Sequence, residues 1–333
     1  MTKIIDLEAH FLTEEFVAFL NTTDDLPGPL RRRDASGSRR LYPDERKLNQ
    51  LLDLGDKRIA EMDQTGIAMQ VISLYQPPHI QTLQPAAAVQ WAKQTNDALA
   101  KAVKNHPDRF AGLAAIPVQS PQDAVEELER SVTQLGLRGV CLTSNARDEY
   151  FDDRKYWCIF EKAEQLDVPV YLHPTLMSER IAAPYSEYGA GLNGPALGHV
   201  AEVSLHVMRL ILSGLFDRFP GLKFMLGHMG EGLPYSFPRL DFAWNRKDAK
   251  RPPIARRPSD YIKRHFTVTT SGMFFTPALL CAYLSMGADR IGFAVDYPPE
   301  KTEEAVKFMQ EAPICDADKE KIWHANAEAL LKL

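Results

Sequence analysis

Residues 222–234 read Leu-Lys-Phe-Met-Leu-Gly-His-Met-Gly-Glu-Gly-Leu-Pro, an apolar run that ends in two titratable side chains. The run from Phe224 to Leu226 predicts a buried strand, and Gly227 allows the backbone to turn. His228 then lies at the end of the strand, and Glu231 follows at the start of a predicted helix. Proteins built on parallel strands place their chemistry at such strand ends.

Eight short apolar runs of this kind are spread along the 333 residues, most of them separated by segments of helical length. They cover residues 3–9, 69–75, 110–117, 137–143, 168–173, 222–228, 266–271 and 290–296. The predicted helices cover 47–65, 85–105, 121–135, 153–166, 199–218, 275–287, 301–311 and 316–332. Apolar strands that alternate with helices predict an α/β fold, specifically a (β/α)8 TIM barrel, formed by residues 1–333 as a single domain.

Three stretches rich in proline, glycine or charge read as surface insertions, at residues 21–46, 175–198 and 245–258. For the basic run Arg31–Arg33 in the first stretch, a solvated loop is preferred over an anion site. The second stretch follows the fifth strand and is a candidate lid over the C-terminal face. The third follows the sixth strand and is a candidate contact with substrate or another subunit.

The composition argues against several classes of function. A net charge of −5 gives no electrostatic reason to expect nucleic acid or a membrane surface as a partner. No apolar run reaches the length of about 18 residues that a membrane span needs. The four cysteines are scattered without a CxxC pair, which indicates reduced thiols rather than a zinc site. We therefore expect a cytoplasmic protein.

Four further titratable residues close predicted strands. Glu8 and His10 lie two apart on the first strand, so their side chains share a face, and His173 ends the fifth strand. Asp296 ends the eighth strand, which lies beside the first in a closed barrel. Two carboxylates and two imidazoles predict a catalytic site for one divalent ion, Zn²⁺ or Mn²⁺. The alternatives are a solvated strand end for Glu8 and His10, a core histidine at His173 and an ion-paired Asp296.

The remaining histidines lack this context and are assigned to structure or solvent. They are His79, His106, His199, His206, His265 and His324. Asn326, near the C-terminal end of the chain, is expected to form a local hydrogen bond within a helix.

Four motifs carry a resemblance to a known family: Leu7-Glu8-Ala9-His10-Phe11, Tyr171-Leu172-His173-Pro174, Gly227-His228-Met229-Gly230-Glu231-Gly232-Leu233-Pro234-Tyr235 and Val295-Asp296-Tyr297-Pro298. The chain resembles the amidohydrolase superfamily over nearly its whole length, and within it the metal-dependent nonoxidative decarboxylases of aromatic acids. That branch includes γ-resorcylate, 2,3-dihydroxybenzoate and salicylate decarboxylases and, more distantly, aminocarboxymuconate-semialdehyde decarboxylase. The chain departs from the branch at Ala9, where a second glutamate is frequent, and at Pro299, where an aromatic residue is common.

The resemblance implies a role for each site residue. The metal ligands are Glu8, His10, His173 and Asp296, and the catalytic residues are Asp296, His228 and Glu231. Substrate binding falls to Arg239, which meets the substrate carboxylate within the subunit or across a subunit interface, and to Phe11, Phe293 and Tyr297. The expected assembly is a homodimer or homotetramer.

The expected reaction is the reversible nonoxidative decarboxylation of an ortho-hydroxybenzoate, such as 2,3- or 2,6-dihydroxybenzoate or salicylate, to a phenol and CO2. The substrate chelates the divalent metal, and a protonated Asp296 delivers a proton to the ring carbon. One alternative is a metal-dependent hydrolase of a lactone or amide, in which Asp296 acts as the base. Another is a barrel without catalytic activity that serves as a binding or structural protein.

Overall fold

The computed structural model describes residues 2–26, 30, 39, 41–42, 44–77, 79–189, 191–246 and 254–333. The basic run Arg31–Arg33 therefore lies outside the described residues, as do residues 247–253 of the third predicted insertion. Within the described ranges, no helix is long and apolar enough to cross a lipid bilayer.

Nine short parallel strands are found in the described part of the chain. They are β1 (Ile5–Phe11), β2 (Met69–Leu74), β3 (Phe110–Gly112), β4 (Ala114–Ala115), β5 (Val140–Thr143), β6 (Val170–His173), β7 (Phe224–Leu226), β8 (Phe266–Thr269) and β9 (Ile291–Gly292). They pair in chain order as β1-β2-β3 and β4-β5-β6-β7-β8-β9. Only Leu113 separates β3 from β4, so these two strands together form the predicted third run.

Backbone hydrogen bonds join the two sheets into one ring. The Leu7 N–H donates to the Phe293 carbonyl at 3.0 Å, and the His10 N–H donates to the Tyr297 carbonyl at 2.9 Å. At the other junction, the Leu113 N–H donates to the Ile72 carbonyl of β2 at 2.9 Å. The first and eighth strand positions are therefore neighbours, and the predicted (β/α)8 barrel is confirmed.

Helices surround the ring and connect the strands. They are Glu14–Thr22, Glu45–Leu52, Asp56–Thr65, Pro85–Asn105, Pro121–Thr133, Trp157–Gln165, Glu179–Ser186, Gly198–Leu212, Leu215–Arg218, Leu233–Asn245, Pro258–His265, Thr276–Met286, Thr302–Gln310, Asp316–Glu320 and Asn326–Leu331. Short 3-10 turns cover Ile80–Thr82, Arg154–Tyr156 and Ala288–Arg290, and π turns cover Leu192–Ala196 and Lys321–Ala325. Several of these helices begin at a proline, whose missing N–H costs nothing in the first turn.

Two predicted helices are interrupted. The predicted helix 47–65 divides where the Asp53 carboxylate accepts a hydrogen bond from the Gly55 N–H at 2.8 Å. The predicted helix 316–332 passes through the π turn Lys321–Ala325. The expected local hydrogen bond of Asn326 is wrong, because its side-chain amide donates to the Ala288 and Ile291 carbonyls at 2.8 Å each. Asn326 therefore attaches the last helix to β9.

Side chains alternate between two apolar layers along each strand. On β7, Met225 points into the ring, whereas Phe224 and Leu226 point outward into the layer between strands and helices. This alternation follows from the two-residue period of a strand. The outer layer is the larger of the two and holds the helices against the barrel.

Phe224→Ala should lower the free energy of unfolding by about 3–5 kcal/mol, because it leaves a cavity in the outer layer. Phe224 is fully buried, and its ring packs against Phe160, Phe216 and Phe266 with centroids 5.1–5.8 Å apart. Tyr188→Ala is the control, since the Tyr188 side chain is 79% exposed. Denaturant titration of both variants measures the change, and equal stability of the two would contradict this packing.

Candidate active site

Four predicted ligand residues meet at the C-terminal end of the barrel. One donor atom from each of Glu8, His10, His173 and Asp296 lies within 4.8 Å of the others. His173 Nε2 lies 3.1 Å from Glu8 Oε1, and His10 Nε2 lies 3.2 Å from Asp296 Oδ1. Glu8 and His10 come from β1, His173 ends β6, and Asp296 follows β9. The barrel thus gathers four residues that are distant in the sequence.

The donor atoms in this cluster fit a bound cation. Glu8 Oε1, Glu8 Oε2 and His173 Nε2 are buried and have no hydrogen-bond partner among the described residues. The other nitrogen of each imidazole is engaged: His173 Nδ1 donates to the Pro174 carbonyl at 2.7 Å, and His10 Nδ1 contacts Ser73 Oγ at 3.1 Å. This leaves both Nε2 atoms directed at the carboxylates. Buried carboxylate oxygens without donors are costly, and a divalent cation satisfies them.

Hydrogen bonds beneath the cluster hold the ligand-bearing backbone in place. Asp6 Oδ1 accepts from the Glu8 N–H at 3.1 Å and from the Val295 N–H at 2.9 Å. Burial raises the pKa of Asp6 to about 7. On the outer side of β1, the buried Arg58 guanidinium donates to the His10 carbonyl at 2.7 Å. Asp6 and Arg58 were not predicted from the sequence, although a charged residue inside an apolar run was a usable signal for Asp6.

The segment after β7 is a left-handed turn rather than the start of a regular helix. Five consecutive residues, 228–232, have φ between +53° and +74°. Gly230 and Gly232 adopt this conformation easily, but each L residue in it costs about 1–2 kcal/mol. The turn brings His228 Nδ1 to 2.7 Å from Glu231 Oε1. Strain of this kind is characteristic of functional sites.

Gly227 is required by a close approach at the start of the same turn. A Cβ at this position would lie 2.8 Å from Tyr171 Oη and 3.3 Å from Glu8 Oε2. Any larger residue would therefore push against the ligand cluster. Gly227 therefore leaves space for the Glu8 carboxylate, and His228 follows it directly in the turn.

His228 and Asp296 form an ion pair, with Nε2 and Oδ2 3.9 Å apart. Burial disfavours the imidazolium, but the charge of Glu231 and the contact with Asp296 outweigh it and raise the pKa of His228 well above its usual value. Burial also disfavours the Asp296 carboxylate, but His10 and His228 outweigh it and lower the pKa of Asp296 below its usual range. Both shifts favour a protonated His228 beside an ionised Asp296, whereas the sequence predicted the proton on Asp296.

A cavity of about 290 Å³ opens beside the cluster. Five predicted residues line it: His10, His173, His228, Glu231 and Asp296. Unpredicted polar residues that also line it are Tyr75, Gln76, His199 and Glu300. The volume lies at the small end of the range for ligand pockets and suits a single ring. No lysine or arginine lines the cavity within the described part of the chain.

The assignment of His199 to structure or solvent is wrong, since this side chain faces the cavity. Burial, together with His228 and His173, lowers the pKa of His199 to about 4. His199 was missed because its helix carries no strand-end motif. Other histidines do have structural partners; His206 Nδ1, for example, donates to the Ser144 carbonyl at 2.6 Å.

None of the four predicted substrate-binding residues lines this cavity. Phe11 and Phe293 are buried in the outer apolar layer, and Phe293 packs on Trp323 with centroids 4.8 Å apart. Tyr297 lies under the Arg58 guanidinium, and its hydroxyl donates to Glu61 at 2.6 Å. Phe11 and Tyr297 each follow an inward-facing ligand by one residue, so strand alternation turns them outward.

Arg239, the fourth of these residues, is exposed on the helix Leu233–Asn245. Its guanidinium carbon lies 5.3 Å from the centroid of the Phe242 ring on the same helix. The structure of one subunit therefore does not bring Arg239 to the cavity.

Comparison with known proteins places this geometry in context. The sequence profile of the amidohydrolase family matches residues 5–333. The chain is 40% identical over 341 residues to γ-resorcylate decarboxylase of Polaromonas sp. strain JS666, covering 100% of this chain and 99% of that protein.

Two solved structures are similar over the whole chain. One is a dihydroxybenzoic acid decarboxylase from Polaromonas sp. JS666 with bound manganese and the inhibitor 2-nitroresorcinol, with a TM-score of 0.88, 38% identity and coverage of 100% of this chain and 98% of that one. The other is a 5-carboxyvanillate decarboxylase from Novosphingobium aromaticivorans with manganese and 4-hydroxy-3-methoxy-5-nitrobenzoic acid. Its TM-score is 0.90, with 32% identity and coverage of 100% of this chain and 96% of that one.

Mn²⁺ should stabilise the wild-type protein against heat, and His173→Ala should abolish most of that effect. At about 100 times its dissociation constant, a bound ion adds about 2.7 kcal/mol to the free energy of unfolding. Loss of the His173 ligand should weaken binding by about 100-fold or more, as disruption of metal shells does. Thermal unfolding with and without Mn²⁺ measures this. His324→Ala, at a histidine that bonds Glu320 and Glu328, is the control and should respond as the wild type does.

Proposed function

The chain belongs to the amidohydrolase family, as its motifs predicted, and from this premise we propose that it is a metal-dependent carboxy-lyase of aromatic acids. The proposed reaction is the reversible nonoxidative decarboxylation of an ortho-hydroxybenzoate to a phenol and CO2. The observation that carries the proposal is the buried cluster of Glu8, His10, His173 and Asp296 beside a cavity of about 290 Å³.

The proposed metal ligands are these four residues, and the bound Zn²⁺ or Mn²⁺ supplies a Lewis acid toward the oxygen atoms of the substrate. Manganese is present in both neighbouring structures described above. The buried ligand atoms without partners support the same assignment, because no described donor compensates them. Burying two carboxylates beside two imidazoles is costly unless a cation or hydrogen-bond donors compensate them.

In the proposed mechanism, His228 stores the proton and Asp296 delivers it. Glu231 orients His228 through the 2.7 Å contact at Nδ1, so that Nε2 faces Asp296. The 3.9 Å gap between His228 Nε2 and Asp296 Oδ2 exceeds hydrogen-bond distance, so the two side chains approach before the proton moves. Asp296 then protonates the ring carbon that bears the carboxylate. The bond to the carboxylate breaks, CO2 leaves, and the bonding electrons restore the aromatic ring.

Arg239 is proposed to meet the substrate carboxylate from a neighbouring subunit. The cavity has several carboxyl groups and no lysine or arginine among the described residues that line it, so an anionic substrate needs a cation from elsewhere. Tyr235 and Phe242, which flank Arg239 on one face of its helix, are 82% and 57% exposed. An exposed aromatic face of this kind favours a homodimer or homotetramer with Arg239 in the interface.

Asp296→Asn should lower kcat for CO2 release by about 10²–10⁴-fold, the contribution of a positioned general acid. Manganese content, measured by elemental analysis, should change little, since an amide oxygen remains. Asp289→Asn, at an exposed aspartate, is the control. Near-normal turnover of Asp296→Asn would reject the proton-donor role. Screening hydroxybenzoates for CO2, and lactones or amides for released acid, separates the decarboxylase from the alternative hydrolase.

Mixing two inactive variants tests the position of Arg239. Arg239→Met and Asp296→Asn should each be inactive alone. In dimers reassembled from equal amounts, about a quarter of the sites should be intact, because half of the dimers are mixed and each has one complete site. If Arg239 acts within its own subunit, mixing should restore nothing. Arg138→Met, at an exposed arginine that precedes β5, is the control and should remain active.

A further inference from the structure

His199 is the cavity residue for which the proposed reaction gives no role. It lies in the first turn of the helix Gly198–Leu212, directly after the π turn Leu192–Ala196. The second predicted insertion therefore ends at the cavity wall, where Pro195, His199 and Val200 face the ligand space. Pro195 and Val200, the other described residues of this segment that line the cavity, are apolar.

The His199 imidazole has no hydrogen-bond partner among the described residues. Among the described residues, neither of its ring nitrogens takes part in a hydrogen bond, an ion pair or a ring contact. Gly194 has no side chain, and a Cβ at this position would lie 3.8 Å from His199 Nε2. The glycine therefore leaves space next to this nitrogen. The uncharged ring offers one N–H donor and one acceptor nitrogen.

Besides His199, the polar residues of the cavity wall outside the ligand cluster and the His228–Glu231 pair are Tyr75, Gln76 and Glu300. Tyr75 packs edge-on against His10 with centroids 5.6 Å apart. Gln76 Nε2 donates to Cys141 Sγ at 3.6 Å, whereas Gln76 Oε1 is a buried acceptor without a partner among the described residues. Glu300 lies near Asp296, and burial followed by that neighbouring charge raises the pKa of Glu300. On the side of the cavity formed by residues 195–200, His199 is the polar group among the described lining residues.

We propose that His199 determines substrate specificity by hydrogen-bonding a further oxygen substituent on the aromatic ring, either a hydroxyl, a methoxy or a carboxylate group. The preferred substrates are then ortho-hydroxybenzoates that carry such a group rather than salicylate itself. This inference rests on the proposed function, which supplies the hydroxyl and carboxylate that bind at the metal ligands. A bare ring would lack this hydrogen bond, and sites built to bond a substrate oxygen discriminate against ligands that lack it.

Binding of unreactive probes to the manganese-loaded protein tests the inference without relying on turnover. The probes are 2-nitrophenol, which has only the chelating pair, and two substituted nitrophenols. The substituted probes are 2-nitroresorcinol and 4-hydroxy-3-methoxy-5-nitrobenzoic acid, the ligands present in the neighbouring structures. His199→Phe should weaken at least one substituted probe by about tenfold in calorimetry and change 2-nitrophenol by less than about twofold.

Two further variants make the result specific. His199→Asn retains a donor and an acceptor and should recover part of the affinity for the substituted probe. His106→Phe makes the same exchange at a histidine outside the cavity and should leave all three affinities unchanged. Thermal unfolding in the presence of Mn²⁺ verifies that every variant is folded and loaded.

The outcomes separate the inference from the function on which it rests. If His199→Phe binds both substituted probes as tightly as the wild type, or weakens all three by one common factor, the specificity role is overturned while the decarboxylase proposal stands. If the manganese-loaded wild type binds none of the three probes, the proposed function fails and the inference fails with it.

Discussion

The structure depends on one electrostatic constraint, which is that two carboxylates and two imidazoles share a buried volume in which both Glu8 oxygens lack a hydrogen-bond donor. Glu8 and His10 have fully buried side chains, and Asp296 is only 17% exposed. Removing such charges from water is costly unless a countercharge enters with them. A divalent cation provides that countercharge, and the surrounding barrel can therefore be understood as the frame that holds four donors in place for it.

The frame acts through the backbone of the ligand residues. The N–H groups of Asp296 and Tyr297 both donate to the Glu8 carbonyl at 3.0 Å, so the fourth ligand is fixed to the first. Asp6 bonds the same two chain segments from below, and Arg58 holds the His10 carbonyl from outside. Ligand positions are thus set by main-chain contacts that close the barrel, which links metal-site geometry to the integrity of the fold.

The sequence predicted those features that are signalled locally. An apolar run that ends in Glu8, His173 or Asp296 predicts both a strand and a titratable side chain at the C-terminal end of the barrel. Closure of the barrel then brings these side chains together. Side-chain direction is less visible: Phe11 and Tyr297 were expected at the substrate, but strand alternation turns them toward the helices. Asn326 and His199 act through tertiary contacts, so their positions follow from the packing of distant segments rather than from a local pattern. The break in the predicted helix 316–332 has the same kind of origin.

The left-handed turn at 228–232 determines how the His228 imidazole faces Glu231 and Asp296. The strained conformation places Glu231 Oε1 2.7 Å from His228 Nδ1 and leaves His228 Nε2 facing Asp296. With a carboxylate on each side, the pKa of His228 is raised well above its usual value. Loss of the turn would remove the contribution of Glu231 to this pKa and leave that of Asp296. The backbone strain of the turn therefore accompanies the positioning of His228 and Glu231, the residues of the proposed proton transfer.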